Sequence, residues 1–123
     1  MGKYQNYKDL LVWKQAMNLA LEIYEVVKLF PKSEIYGLTS QMRRAAVSIP
    51  SNIAEGQARG SEKEFKLFLN IAKGSLAELE TQVFLAERLE YISKGQKEKI
   101  INPIQTTGKL LNGLIRSLNK RIL

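Results

Sequence analysis

The chain has 123 residues, with 19 Lys and Arg against 12 Asp and Glu, a formal charge of +7, and neither cysteine nor histidine. One domain of this length buries roughly two-thirds of the surface its unfolded form exposes, enough for a core without covalent or metal staples. The missing residues exclude disulfides, thiolate metal sites, a cysteine nucleophile and an imidazole base, and the basic balance points to a polyanionic partner.

Four helices are expected, because apolar residues recur with a period near 3.5 while Gly and Pro are sparse. In the first, over about 8–30, Leu10, Trp13, Met17, Ala20, Tyr24 and Val27 form one row. Val12, Ala16, Leu19, Ile23, Val26 and Phe30 form a second, and the two cover about half the circumference. Pro31 ends this helix, since the residue before a proline avoids the α region. The second, over about 35–57, takes either Ser33 or Thr39 as N-cap and uses Leu38, Met42, Ala45, Ile49, Asn52 and Gly56 as its seam. Pro50 lies inside it and is expected to kink it. The third, over about 61–91, opens on a Ser61/Glu64 capping box and runs along Phe65, Leu69, Ala72, Leu76, Leu79, Val83 and Ala86. The fourth, over about 94–121, opens on a Ser93/Gln96 box, with Ile101, Ile104, Gly108, Leu111, Ile115, Leu118 and Ile122 as its seam. Pro103 is expected to kink or fray its first turns.

The joints around 31–34, 57–61 and 91–93 are short, and short joints force antiparallel neighbours. The expected fold is one all-α domain over 1–123, an antiparallel up-down-up-down four-helix bundle. The N-terminus lacks an apolar signal core, and no uncharged run approaches the roughly 20 residues of a membrane span. A cytoplasmic protein away from membranes is expected.

Two features exceed what a bundle needs. Leu67, Ile71 and Leu85 lie far around the third helix from its seam, with Gly74 on the same outer arc. Single surface hydrophobes are normal, but a contiguous set marks a contact site, and an oligomer interface is expected here. In the second helix Arg44, Ser48, Asn52 and Glu55 fall in one narrow strip. The expected reading is a partly buried structural network in which Arg44 and Glu55 satisfy each other and the groups between them. The other reading is a phosphate or ligand site built on Arg43 and Arg44.

The charge is uneven: residues 94–123 carry seven bases and one acid. Lys109, Arg116 and Lys120 form a stripe opposite the fourth helix's seam, and Lys94, Lys97, Lys99 and Arg121 add charge at its ends. Such a stripe binds phosphates by counterion release, although a merely solvated face carries the same pattern. No aromatic signature for base stacking is visible. Catalysis would need glutamates and a metal, yet Glu78 and Glu80 face different sides of their helix and Glu-x-x-His cannot occur. No catalytic residue, metal or cofactor is therefore expected, and the chain reads as a non-enzyme.

Several motifs carry a family resemblance: Tyr7-Lys8-Asp9-Leu10-Leu11-Val12-Trp13, Phe30-Pro31, Glu34 with Tyr36-Gly37-Leu38, the run 41–56 from Gln41-Met42-Arg43-Arg44 to Asn52-Ile53-Ala54-Glu55-Gly56, and Ile71-Ala72-Lys73-Gly74-Ser75-Leu76-Ala77-Glu78-Leu79. Over nearly its whole length the chain resembles the 23S rRNA intervening-sequence protein family, small bacterial four-helix bundle proteins. The resemblance implies an antiparallel bundle assembling as a ring-like homopentamer, with no established biochemical activity. More distantly it is similar in fold to the accessory variability determinant of diversity-generating retroelements, a pentamer that binds nucleic acid and a reverse transcriptase. The expected function is a basic homo-oligomer that binds RNA, or DNA, through the fourth helix without reading sequence. The alternative is a protein-protein scaffold or accessory subunit for a neighbouring-gene enzyme, its charge incidental.

Overall fold

The computed structural model describes residues 6–122, with side chains over 6–120. It is all-helical, with no strand among the described residues: α1 spans Leu11–Val26, α2 Leu38–Ala58, α3 Glu62–Arg88 and α4 Lys94–Ile122. Helix α2 packs on both α1 and α3, and α4 on both α3 and α1. Ser48 of α2 meets Ser75 of α3, whereas Gly56 meets Phe65 and Phe68. Likewise Gly108 of α4 lies against Leu76 of α3, and Lys97 against Glu87.

The seams supply the core. Leu19, Ile23, Met42, Ile49, Ile53, Phe65, Leu69, Leu79, Leu111 and Leu118 are fully buried. Helix α1 departs from expectation. It is shorter than 8–30, flanked by 3-10 turns at Tyr7–Asp9 and Val27–Leu29. Asn6 caps the first turn by accepting the Lys8 N–H at 2.9 Å, and Leu10 is then extended, which separates that turn from α1. Only the Val12–Val26 row of α1 is buried. In the other row Leu10 and Val27, just outside α1 at its two ends, are buried and Trp13 and Ala20 are half-buried, while Met17 and Tyr24 are exposed. Pro50 and Pro103 both lie within continuous helices, so neither splits its helix.

The start of α2 is capped by neither Ser33 nor Thr39. Glu34 reaches past a 3-10 turn, and its Oε1 accepts the Leu38 N–H at 3.0 Å. A carboxylate there satisfies one of the unpaired first-turn amides and complements the helix dipole. A Cβ at Gly37 would strike that carboxylate and push it off the cap. The other oxygen, Oε2, accepts the Tyr91 hydroxyl at 2.6 Å, and the Tyr91 ring packs on Phe30 at 5.3 Å between centroids. One glutamate thereby ties the α1–α2 joint to the α3–α4 joint. Helix α3 stops at Arg88, short of 91. Glu90 takes φ 62°, its N–H bonds the Glu87 carbonyl and that of Tyr91 bonds the Ala86 carbonyl, a Schellman ending. This ending aims Tyr91 at Glu34.

The Tyr91 hydroxyl, followed by the Leu38 amide, holds the Glu34 carboxyl below its ordinary range. The same hydrogen bond holds the Tyr91 phenol above its own. A depressed carboxylate contributes stability that is present above the unfolded value near 4.3 and lost as pH falls through the lower folded value. The raised phenol contributes below about pH 10, and that part is lost as pH climbs through its folded value. Glu34→Gln is expected to lower the thermal midpoint at neutral pH and to flatten its fall on acidification. Melting curves from about pH 3 to 7 check this; an unchanged acid limb would refute the link.

Candidate nucleic-acid interface

Helix α4 buries Ile100, Ile104, Thr107, Leu111 and Leu118 and turns its opposite face to solvent. The buried Thr107 hydroxyl is satisfied by the Pro103 carbonyl at 2.8 Å. The outward face carries Lys109, Arg116 and Lys120, all exposed, over about 16 Å of helix. Asn102, Gln105 and Thr106 are also exposed on α4 and are uncharged hydrogen-bonding groups. The lone acid of 94–123, Glu98, lies more than two turns before Lys109. A phosphate chain following this face meets cations and amides, with Glu80 and Lys73 of α3 at its edge beside Gln105.

The remaining expected cations separate. Lys94 is exposed in the first turn. Lys97 is not a free cation: its side chain is 17% exposed, 3.9 Å from Glu87 and 5.5 Å from the Phe84 ring centre. The helical twist places it at the α3 boundary. Lys99 is exposed but turns to the α1 side, where it lines a groove with Glu22 and Glu25. Arg121 lies outside the residues whose side chains are described.

The expected Arg44–Glu55 network is corrected. Glu55 pairs with Arg59 at 2.8 Å, one turn further along α2, and Arg44 is exposed. Ser48 and Asn52 do join. The Asn52 amide donates to the Ser48 carbonyl at 2.8 Å and to its hydroxyl at 2.9 Å, and that hydroxyl meets Ser75 Oγ of α3 at 2.8 Å. The strip is thus an α2–α3 clasp, and Ser75 is the member the sequence reading missed. Arg43 turns instead to α1, its guanidinium 5.3 Å from the Tyr24 ring centre.

Three apolar features remain on the surface. Leu67, Ile71 and Leu85 of α3 are 58, 44 and 46% exposed, and a Cβ at Gly74 would meet nothing within 4 Å. A groove of about 440 Å³ runs between α1 and α2, floored by Trp13, Ala20, Pro50 and Ala54 and walled by Met17 and Val47. Tyr36 is 95% exposed on the joint that Glu34 holds. Among the described residues, no group of three or more acids is placed to hold a metal, and no helix is long and apolar enough to cross a membrane.

Fold and surface together define a small, basic, all-helical protein with a cationic face on its last helix. The family model for the 23S rRNA-intervening sequence protein matches residues 8–113, and the chain belongs to that family. Among solved structures it is similar to a protein of unknown function from the S23 ribosomal protein family of Bacteroides thetaiotaomicron, at 30% identity and a TM-score of 0.77, over 85% of this chain and 98% of that one. No curated protein sequence matches it.

Proposed function

We propose that the protein is a non-enzymatic, cytoplasmic homo-oligomer of antiparallel up-down-up-down bundles that binds RNA through the outward face of α4. The observation that carries this reading is the exposed row Lys109, Arg116 and Lys120 on a face otherwise made of uncharged polar groups. The contact pairs Ser48–Ser75 and Leu76–Gly108 support the antiparallel order, and the uncovered apolar side chains of α3 support self-assembly. The family resemblance implies five copies, and repetition of the α4 face would multiply its field. Cations without aromatic stacking partners favour phosphate contacts over base reading, so RNA and DNA differ little as ligands.

A titration of single-stranded and hairpin RNA across salt tests this. Affinity is expected to fall as salt rises, and combining Lys109→Gln, Arg116→Gln and Lys120→Gln is expected to reduce the log–log slope by about 2 per protomer engaged. Lys97→Gln leaves the slope unchanged, because Glu87 already occupies that cation. Undetectable binding at low salt, or an unchanged slope in the triple variant, overturns the reading. A protein partner without nucleic acid in the native eluate would favour the scaffold alternative.

A further inference from the structure

The outer arc of α3 is a second helical seam. Leu67, Ile71, Gly74, Glu78, Thr81 and Leu85 step 4,3,4,3,4, the rhythm of a helix that packs along another helix. The described residues leave Leu67, Ile71 and Leu85 exposed, and Gly74 lets a partner backbone come close. On a different part of the surface, the α1–α2 groove is the shape that accepts such a helix.

The two fit in length and charge. The groove wall from Trp13 to Tyr24 and the seam from Leu67 to Glu78 each cover eleven steps, about 16 Å. At the Tyr24 end of the groove sits Arg43, its guanidinium over the Tyr24 ring and its Nε buried without a hydrogen-bond partner. At the matching end of the seam sits Glu78, exposed. The buried Nε is closed to a partner, so an incoming carboxylate would meet the terminal nitrogens of this half-buried guanidinium, which the ring already orients.

We propose that the occupant of the α1–α2 groove is α3 of a second copy of this chain. Leu67, Ile71 and Gly74 lie along the groove, parallel to α1, and Glu78 pairs with Arg43 at its end. The two contacting faces differ, so the contact is head-to-tail and repeats until it closes a ring or grows a fibre. This deepens the self-assembly in the proposed function and is independent of RNA binding by α4.

The test uses the full chain without nucleic acid, with mass read by light scattering and fold by circular dichroism. The wild type is expected above the 14.0 kDa of one chain. Ile71→Glu breaks the seam and Val47→Glu breaks the groove, both at exposed positions, and each is expected to run as a folded monomer. Mixed one to one, they retain a single compatible pair of faces, so they are expected to form a dimer near twice 14.0 kDa and nothing larger. Glu78→Arg is expected to weaken assembly, and Arg43→Glu added to it to restore mass. A monomeric wild type, a mixture that stays monomeric, or singles that keep the wild-type mass would each overturn the proposal. So would a foreign protein found in the groove of a monomeric chain. Salt-dependent RNA binding by a wild type that proves monomeric would show that the groove contact had failed and the α4 reading stood.

Discussion

Phe65→Ala is expected to lower the unfolding free energy by about 4 kcal/mol, near the top of the range for core truncations. Phe65 is fully buried at the start of the α3 seam. Its ring edge lies within 3.2 Å of where a Cβ on residue 56 would stand. There the two helices already touch by backbone, so neither can move inward to fill the space, and the cavity persists. A domain of this size is stable by only about 5–15 kcal/mol, so the loss is a large fraction of the total. It corresponds to roughly 15 °C in Tm. Urea unfolding followed by circular dichroism should show a lower midpoint with an unchanged slope. A loss under about 1 kcal/mol would mean that the site collapses, contrary to the close α2–α3 contact.

The second large effect is one of opposite signs at two glycines. In a bare helix, Gly→Ala gains up to about 1 kcal/mol. At Gly56 the new Cβ would stand 2.5 Å from Phe68 Cβ and 3.3 Å from the Phe65 carbonyl oxygen. Neither atom belongs to a flexible side-chain end, so α2 and α3 must separate along their whole contact. Gly56→Ala is expected to destabilise by about 1–3 kcal/mol net. At Gly74 nothing lies within 4 Å of the added atom, and Gly74→Ala is expected to stabilise the isolated chain by up to about 1 kcal/mol. Paired denaturation curves at high dilution, where assembly does not contribute, decide it. Equal signs would mean that α2 and α3 are not packed backbone to backbone at Gly56.

Much of the architecture was legible because helical period is a local property. The seams from Leu38 to Gly56, Phe65 to Ala86 and Ile104 to Leu118 follow from spacing alone, and Asn52 stands in the first of them half-buried. The Ser93/Gln96 box forms in both directions, Ser93 N to Gln96 Oε1 at 2.7 Å and Gln96 N to Ser93 Oγ at 3.1 Å. The misses share one cause. A helical wheel shows which residues line up, but not which neighbour covers them. Both rows of α1 are apolar, yet one is buried throughout while the other opens at Met17 and Tyr24 onto the α1–α2 groove. Arg44 and Glu55 share a strip, but they lie eleven residues apart, and Arg59 stands one turn from Glu55. Lys97 and Lys109 look alike in sequence, and only the proximity of Glu87 and Phe84 separates them.

By itself, then, the sequence determined an all-helical chain, four periodic seams, a cation-rich last quarter and the exclusion of histidine and cysteine chemistry. Each of these depends on residues near one another in the chain or on composition. Tertiary structure alone decided that Glu34 caps α2 and holds Tyr91, that Ser75 completes the Ser48–Asn52 clasp, and that Met17 and Tyr24 of an apolar row remain exposed. Those outcomes depend on which helix face meets which, and that choice is made by side chains dozens of residues apart.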